Sequence, residues 1–253
     1  MTKNNHKNNY SRPLWLKLFG GCVLLLFVAG MYVGLVASPQ DINQGNLIRI
    51  MYAHVSVAWI CFVAVILSAV ASALFLWQGK RAQDVFAVAS AEMALFYAAL
   101  TVTGGMIYSK PTLNTFWSWD AKLTLTAIMC ALLVGYFVVR GLLDDPLNRG
   151  RVSAVVSLMV LASLPLNWFA AEWFRTLHPA KSFEVSAEGV ESTMNAVMRN
   201  TLLFNVAIAA LILTYFMIER LRLGLWELRL EQNASANTTA SSTSPSKVET
   251  IHV

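Results

Sequence analysis

Six long apolar runs occupy most of this chain of 253 residues and decide what it can fold into. An α-helix crosses the apolar core of a bilayer with about 20 residues, and the runs are close to that length or longer. Only 13% of the residues are charged, against about 25% in soluble domains. We therefore predict an all-α integral membrane protein with six transmembrane helices. The predicted spans are residues 18–36, 50–77, 85–108, 123–139, 152–174 and 201–218.

Basic residues are divided unequally between the two sets of connections. Most of them lie before the first span, after the second and fourth spans, and beyond the sixth. Because cytoplasmic segments are rich in Lys and Arg, both termini are predicted to be cytoplasmic. The net charge of +5 then reflects topology, and no nucleic-acid partner is expected. The predicted parts are a cytoplasmic segment 1–17, a membrane domain 18–219, and a cytoplasmic, largely disordered tail 220–253, rich in Ser, Thr and Asn from Glu231 on.

One predicted outward connection, residues 109–122, has an unusual composition. Its stretch 115–122 reads TFWSWDAK and places three aromatic rings beside an acid and a base. Such rings can anchor a protein at the membrane boundary, but a cluster this dense also suits a platform for a flat apolar ligand. Asp120 could pair with Lys122 or a loop arginine, and the safer interpretation is a cap on the fourth helix.

Two histidines fall on the same predicted side as this connection. His54 lies about one turn into the second helix, and His178 lies just past the fifth. They could ligate a metal ion or the two faces of a haem iron, or they could be ordinary interface residues. The three cysteines lie in apolar runs without CxxC spacing, so a zinc site and covalent haem attachment are not expected.

A haem site has further requirements, which the outward side meets. A porphyrin needs aromatic surface, and its propionates need cations. An interfacial belt and solvated loop charges are the alternative interpretations of the same residues. The candidate rings are Phe116, Trp117, Trp119, Trp168 and Trp173, and the candidate cations are Arg49, Lys110, Lys122 and Arg175.

Two further features within the third predicted span are candidates for a role. Glu92 is an ionisable residue in a span, which is a functional hypothesis by default. The run 103–105 (Thr-Gly-Gly) marks either close packing of helices or merely the helix end.

Ordered blocks of the chain resemble haem exporter protein C (CcmC), a family of the cytochrome c maturation system. The blocks are 44–55, with His54, 103–111, and 164–178, with His178. The resemblance covers residues 13–225 and implies that the two histidines are axial ligands of haem iron. The family usually reads WGTWWVWDARLT where residues 113–124 read LNTFWSWDAKLT. Haem affinity is therefore the property expected to differ from that of the relatives.

The resemblance also implies what the protein does. It would be a non-enzymatic, multi-pass protein of the bacterial inner membrane that binds haem b transiently and non-covalently at the periplasmic face. It would deliver haem to a membrane-anchored periplasmic haem chaperone, alongside a small single-span accessory protein and an ATP-binding-cassette export pair. The implied haem contacts, besides the two histidines, are Arg49, Phe116, Trp117, Trp119, Asp120, Lys122 and Arg175.

Two other functions remain open on the sequence. A secondary transporter of another small solute would be expected to show internal repeats and ionisable residues at the bilayer midplane. A membrane redox protein with permanent haem would be expected to place its ligands inside the helix bundle.

Overall fold

The computed structural model describes the backbone of residues 11–174, 176–178, 183–186, 189–192 and 194–242. Within these residues six helices are long and apolar enough to cross a membrane, which confirms the predicted fold class. A π-helical segment, Val33–Ala37, extends the first helix, and a small antiparallel hairpin of β1 (Phe183–Ser186) and β2 (Gly189–Ser192) precedes the last. The helices are α1 (Leu14–Tyr32), α2 (Ile48–Gln78), α3 (Arg81–Leu113), α4 (Ala121–Leu142), α5 (Pro146–Trp173) and α6 (Ala196–Ser242).

Two helices run further than the sequence predicts. Helix α3 continues to Leu113, so the aromatic connection is only residues 114–120. Helix α6 has 47 residues and is therefore about 70 Å long at 1.5 Å per residue. The sequence predicted a disordered tail from Glu231, but α6 continues past that residue to Ser242. The stretch that leads into it, residues 220–230, is rich in Leu, Glu and Arg, which are good helix formers.

Helices α2 and α3 form the central pair of the bundle, and small polar groups join them to their neighbours. The Ser68 hydroxyl on α2 donates to the Ala87 carbonyl on α3 at 3.0 Å and lies 3.0 Å from the Ser157 hydroxyl on α5. The Tyr97 hydroxyl on α3 donates to the Ala209 carbonyl on α6 at 2.8 Å. Small residues and satisfied hydroxyls are typical of helix contacts in lipid, where backbones approach closely.

Ion pairs between helices mark one end of the bundle, which we call the ion-pair end. Arg140 on α4 binds Asp84 on α3 through two hydrogen bonds of 2.8 and 3.0 Å. Arg220 on α6 binds both carboxylate oxygens of Glu92 on α3. The structure therefore gives Glu92 a partner on another helix.

The connections α1–α2, α3–α4 and α5–α6 lie at the opposite end, which we call the tryptophan end. The Tyr108 hydroxyl near the end of α3 donates to Gln44 in the α1–α2 connection. Asp120, just before α4, accepts a hydrogen bond from Thr176, just after α5. These contacts join the α1–α2 connection to the end of α3, and the start of α4 to residues 176–178.

Candidate functional site at the tryptophan end

His54 lies on α2 against a pair of glycines on α3. A Cβ atom on Gly104 would lie 3.2 Å from His54 Nδ1, and one on Gly105 would lie 3.2 Å from His54 Cε1. The two missing side chains therefore create the space that the imidazole fills, so the glycine pair marks close packing of α3 against a histidine. Nδ1 is buried and makes no hydrogen bond with the described residues.

His178 reaches the same place from the chain that follows α5. Helix α5 ends at Trp173, and Phe174 is extended, with φ −124° and ψ 152°. The His178 amide then donates to the Thr176 hydroxyl at 3.1 Å. His178 is close enough to His54 for an electrostatic interaction. The structure thus brings together two histidines that are far apart in the sequence.

Asp120 joins the aromatic connection to the segment that holds His178. Its Oδ1 accepts from the Leu123 amide at 3.0 Å, which confirms the predicted cap of α4. Its Oδ2 accepts from the Thr176 hydroxyl and, at 2.8 Å, from the Leu177 amide. We call these last two contacts the Asp120 latch. One carboxylate thereby fixes residues 176–178 relative to the start of α4.

The latch also sets the charge state of Asp120. Burial raises the pKa of this carboxyl, and hydrogen bonds from the Thr176 hydroxyl and the Leu123 and Leu177 amides lower it. The hydrogen bonds outweigh burial, so the pKa lies below the ordinary value of 3.8. Because donors to the charged form favour it, Asp120 is ionised at neutral pH and the latch is a set of charge-assisted hydrogen bonds.

The aromatic residues of this connection present open ring surface. Trp117 and Trp119 meet edge to face, with ring centroids 5.8 Å apart. The side chain of Trp119 is 83% exposed, and that of Phe116 is 54% exposed, with Lys110 Nζ 5.3 Å from its ring centroid. Trp117 Nε1 is buried without a hydrogen-bond partner in the described part of the chain. The connection therefore offers apolar ring faces beside an unsatisfied donor.

Asn114 explains how the connection turns without a glycine. It follows α3 in the left-handed conformation, with φ 56°. Asparagine is the residue that most readily replaces glycine at such a helix end. The departure from the resembled pattern at this position therefore preserves the backbone turn into the aromatic residues.

Lys122 lies at the start of α4 and reaches across to α5. Its ammonium donates to the Asn167 carbonyl at 2.8 Å, and Asn167 Nδ2 in turn donates to the Thr126 hydroxyl at 2.8 Å. Asn167 is almost fully buried. These contacts tie α4 to α5 directly beneath the aromatic connection.

Two further predicted cations are Arg49 and Arg175. The Arg49 guanidinium donates to the Ser38 carbonyl at 2.8 Å and to the Leu35 carbonyl at 3.3 Å, which secures the end of the first span. Arg175 lies outside the described residues. Of the predicted rings on α5, Trp168 packs on Phe62, and Trp173 stacks on a neighbouring ring of its own helix.

The sequence did not predict that Thr176 contacts Asp120 or that the glycine pair packs against His54. Thr176 is an ordinary loop residue in composition, and no local signal marks it as a partner of Asp120. The glycines could be assigned to His54 only by knowing how α2 and α3 align.

The fold and this geometry define a class of protein: a six-span membrane protein with a candidate ligand site of two histidines and exposed aromatic rings at one end. The family model described as heme exporter protein C matches residues 3–236. This chain therefore belongs to the haem exporter protein C family.

Individual relatives agree with this assignment. The chain is 30% identical over 181 residues to heme exporter protein C of Bradyrhizobium diazoefficiens, covering 71% of this chain and 67% of that protein. It is 28% identical over 193 residues to heme exporter protein C of Escherichia coli K12, covering 76% and 75%. It is 29% identical over 177 residues to a ccmC-like mitochondrial protein of Marchantia polymorpha named for cytochrome c biosynthesis, covering 70% and 75%.

Proposed function

We propose that this protein binds haem b transiently at the tryptophan end and delivers it for the maturation of c-type cytochromes. Family membership supports haem as the cargo, since the relatives are named heme exporter protein C. The observation on which the proposal depends most is that His54 and His178 lie within electrostatic range of each other, with Asp120 joining the segment that holds His178 to the aromatic connection. The proposed receiver is a membrane-anchored periplasmic haem chaperone.

The two imidazoles have different supports, which suits a cargo that must leave again. Only a neutral imidazole nitrogen ligates iron. Because His54 Nδ1 is buried toward Gly104, Nε2 is the proposed ligand. His54 is thus set on a rigid helix, whereas His178 lies on a short segment whose position depends on the Asp120 latch.

The aromatic connection is proposed to cover the porphyrin. The exposed rings of Phe116 and Trp119 supply flat apolar surface, and the buried Nε1 of Trp117 is a donor in need of an acceptor. Lys122, Arg49 and Arg175 remain predicted partners of the propionates.

Orientation completes the proposal. The ion-pair end is proposed to face the cytoplasm of a bacterium, because the larger share of Lys and Arg lies there. The tryptophan end then faces the periplasm from the inner membrane. A small single-span protein and an ATP-binding-cassette pair are the other proposed partners. Haem is handed on without any change in its covalent bonds, so the protein is proposed to be non-enzymatic.

A complementation experiment tests this function. In a bacterium lacking its own homologue, the wild-type protein should restore covalent haem in c-type cytochromes, and His54→Ala and His178→Ala should each fail. His252→Ala, near the C-terminus, is the matched control and should restore assembly. Restoration by the double variant His54→Ala/His178→Ala at equal protein levels would exclude the proposal. Haem that stays bound and never reaches the chaperone would favour the permanent-haem redox protein.

A further inference from the structure

A cavity lies at the ion-pair end, at the opposite end of the bundle from the two histidines. Its volume is about 310 Å³, and residues of α3, α4, α5 and α6 line it. That volume is at the lower end of the range for small-ligand sites, about 300–1,000 Å³. Four arginines and three carboxylates face the cavity, namely Arg81, Arg140, Arg149, Arg220, Asp84, Glu227 and Glu231.

Three of these arginines have carboxylate partners. Arg140 is paired with Asp84, and Arg220 is paired with Glu92 and lies 3.8 Å from Glu227. Arg81 is paired at 3.0 Å with Glu231.

Arg149 differs from the other three arginines. Its guanidinium makes no ion pair with the residues described, and its Nε atom is buried without a hydrogen-bond partner. Leaving a buried charged donor unsatisfied is costly. Arg149 is therefore placed to bind an anion at this cavity.

The surroundings of Arg149 show what kind of anion fits. Arg149 lies in the first turn of α5, where the helix dipole also favours negative charge. Val85, Val88 and Leu228 add apolar surface to the same cavity. An anion attached to an apolar group or to glycerol would contact both the Arg149 guanidinium and this apolar surface.

The cavity can be reached from between two helices. Helices α4 and α6 both pack along α3 but make no comparable contact with each other in the part of the chain described. Gly141 of α4 lines the cavity, and a Cβ atom added there would meet nothing within 4 Å. A lipid headgroup can therefore enter from the side.

We propose that this cavity binds the phosphate headgroup of one anionic phospholipid, with the Arg149 guanidinium on the phosphate. Basic pockets between transmembrane helices on the cytoplasmic side are suited to such headgroups. With the ion-pair end facing the cytoplasm, as proposed above, the lipid belongs to the inner leaflet. The site does not depend on the haem function.

Native mass spectrometry of the purified protein tests the site, with phosphatidylglycerol and phosphatidylcholine supplied in equal amounts. The wild-type protein should retain one phosphatidylglycerol in preference. Arg149→Gln should reduce that retention by about tenfold or more, since it removes a charge-assisted pair. Gly141→Leu should do the same by filling the cavity without changing the charge. Arg151→Gln is the matched control, because Arg151 is exposed two residues further along α5.

Three results would overturn the proposal: equal retention by Arg149→Gln and Arg151→Gln, equal retention of the two lipids by the wild type, or full retention by Gly141→Leu. Excess inorganic phosphate separates the sources of the anion. It should not displace the lipid, and displacement would assign the site to free phosphate instead. Gel filtration shows whether each variant is folded, and Arg149→Lys, which keeps the charge, should keep most of the lipid.

Discussion

The imidazole of His54 occupies space that exists only because residues 104 and 105 lack side chains. On the other side of the site, His178 is positioned by a threonine hydroxyl and a carboxylate that lie outside the spans. The residues that decide the geometry of the two proposed ligands are therefore small or polar neighbours. Each neighbour can be changed while both histidines remain.

Gly104→Ala is expected to weaken haem binding without destabilising the protein. Its Cβ atom would lie 3.2 Å from His54 Nδ1 and push the ring away, whereas alanine favours a helix over glycine by about 1 kcal/mol. We expect the haem affinity to fall by about tenfold, the size of an effect of about 1.4 kcal/mol, and the unfolding temperature to stay the same or rise. An absorbance titration and a thermal melt measure the two quantities.

Gly135→Ala is the control for this prediction, because its Cβ atom would meet nothing within 4 Å on α4. It should gain the same helix preference and keep full haem affinity. If Gly104→Ala bound haem as tightly as Gly135→Ala, the close packing of Gly104 against His54 would have no effect on haem affinity.

Asp120→Asn is expected to weaken haem binding by releasing His178. Asparagine can still cap α4 with its oxygen, but its NH2 group then faces Thr176 and Leu177 and cannot accept from them as Oδ2 does. Asp145→Asn is the matched control, since Asp145 caps α5 through the Asn148 amide at 2.8 Å. A haem titration should show a loss for Asp120→Asn alone. Equal haem affinities of the two variants would show that the Asp120 latch does not position His178 for haem binding.

The stability that Asp120 contributes should depend on pH in a defined direction. Its pKa in the folded protein lies below 3.8, so the folded state favours the charged form. The contribution is full above the unfolded pKa and is lost as the pH falls through the lower folded pKa. The difference in unfolding temperature between wild type and Asp120→Asn should therefore be constant near neutral pH and shrink only in acid. A difference that vanished near neutral pH would contradict this.

At the scale of elements, α3 is the helix that connects both ends of the molecule. Its two glycines, Gly104 and Gly105, pack against His54 at the tryptophan end. Its two acidic residues, Asp84 and Glu92, pair with arginines of α4 and α6 at the ion-pair end. The Glu92–Arg220 pair is partly shielded, with 30% exposure on each side chain. Its function here is to join α3 to α6.

Glu92→Gln is expected to destabilise the bundle and leave the haem spectrum unchanged. Breaking this partly buried pair leaves Arg220 with only the longer contact to Glu227, at 3.8 Å, and should cost about 1–2 kcal/mol. Glu231→Gln is the control, because Glu231 pairs with Arg81 between the same helices but is 57% exposed, and such pairs contribute at most about 1 kcal/mol. Thermal melts should rank the two variants in that order. A haem spectrum altered by Glu92→Gln alone would point instead to a direct role in the site.

For the whole molecule, the sequence was sufficient to predict the number of spans, since length and apolarity decide which helices can cross a bilayer. It also predicted the cap at Asp120, which depends on residues three apart. It could not predict the partners of Glu92 or the second role of Asp120, because those contacts join distant helices. It placed the end of α6 too early, since a polar composition was taken as disorder.

The orientation of the whole molecule can be tested with a reporter. Alkaline phosphatase needs disulfides and is active only outside the cytoplasm. A fusion ending at Asn114, at the tryptophan end, should be active, and one ending at Asp144, at the ion-pair end, should be inactive. The reverse pattern would invert the proposed topology and place the candidate site on the cytoplasmic face.

We propose that His54 and His178 ligate the two faces of one haem iron. The visible and near-infrared spectrum of the haem-loaded protein, recorded without added imidazole, tests this ligation. We expect a six-coordinate, low-spin spectrum with two imidazoles for the wild type and for His252→Ala. His54→Ala and His178→Ala should each lose that spectrum. A two-imidazole spectrum that survives in either single variant would contradict the claim.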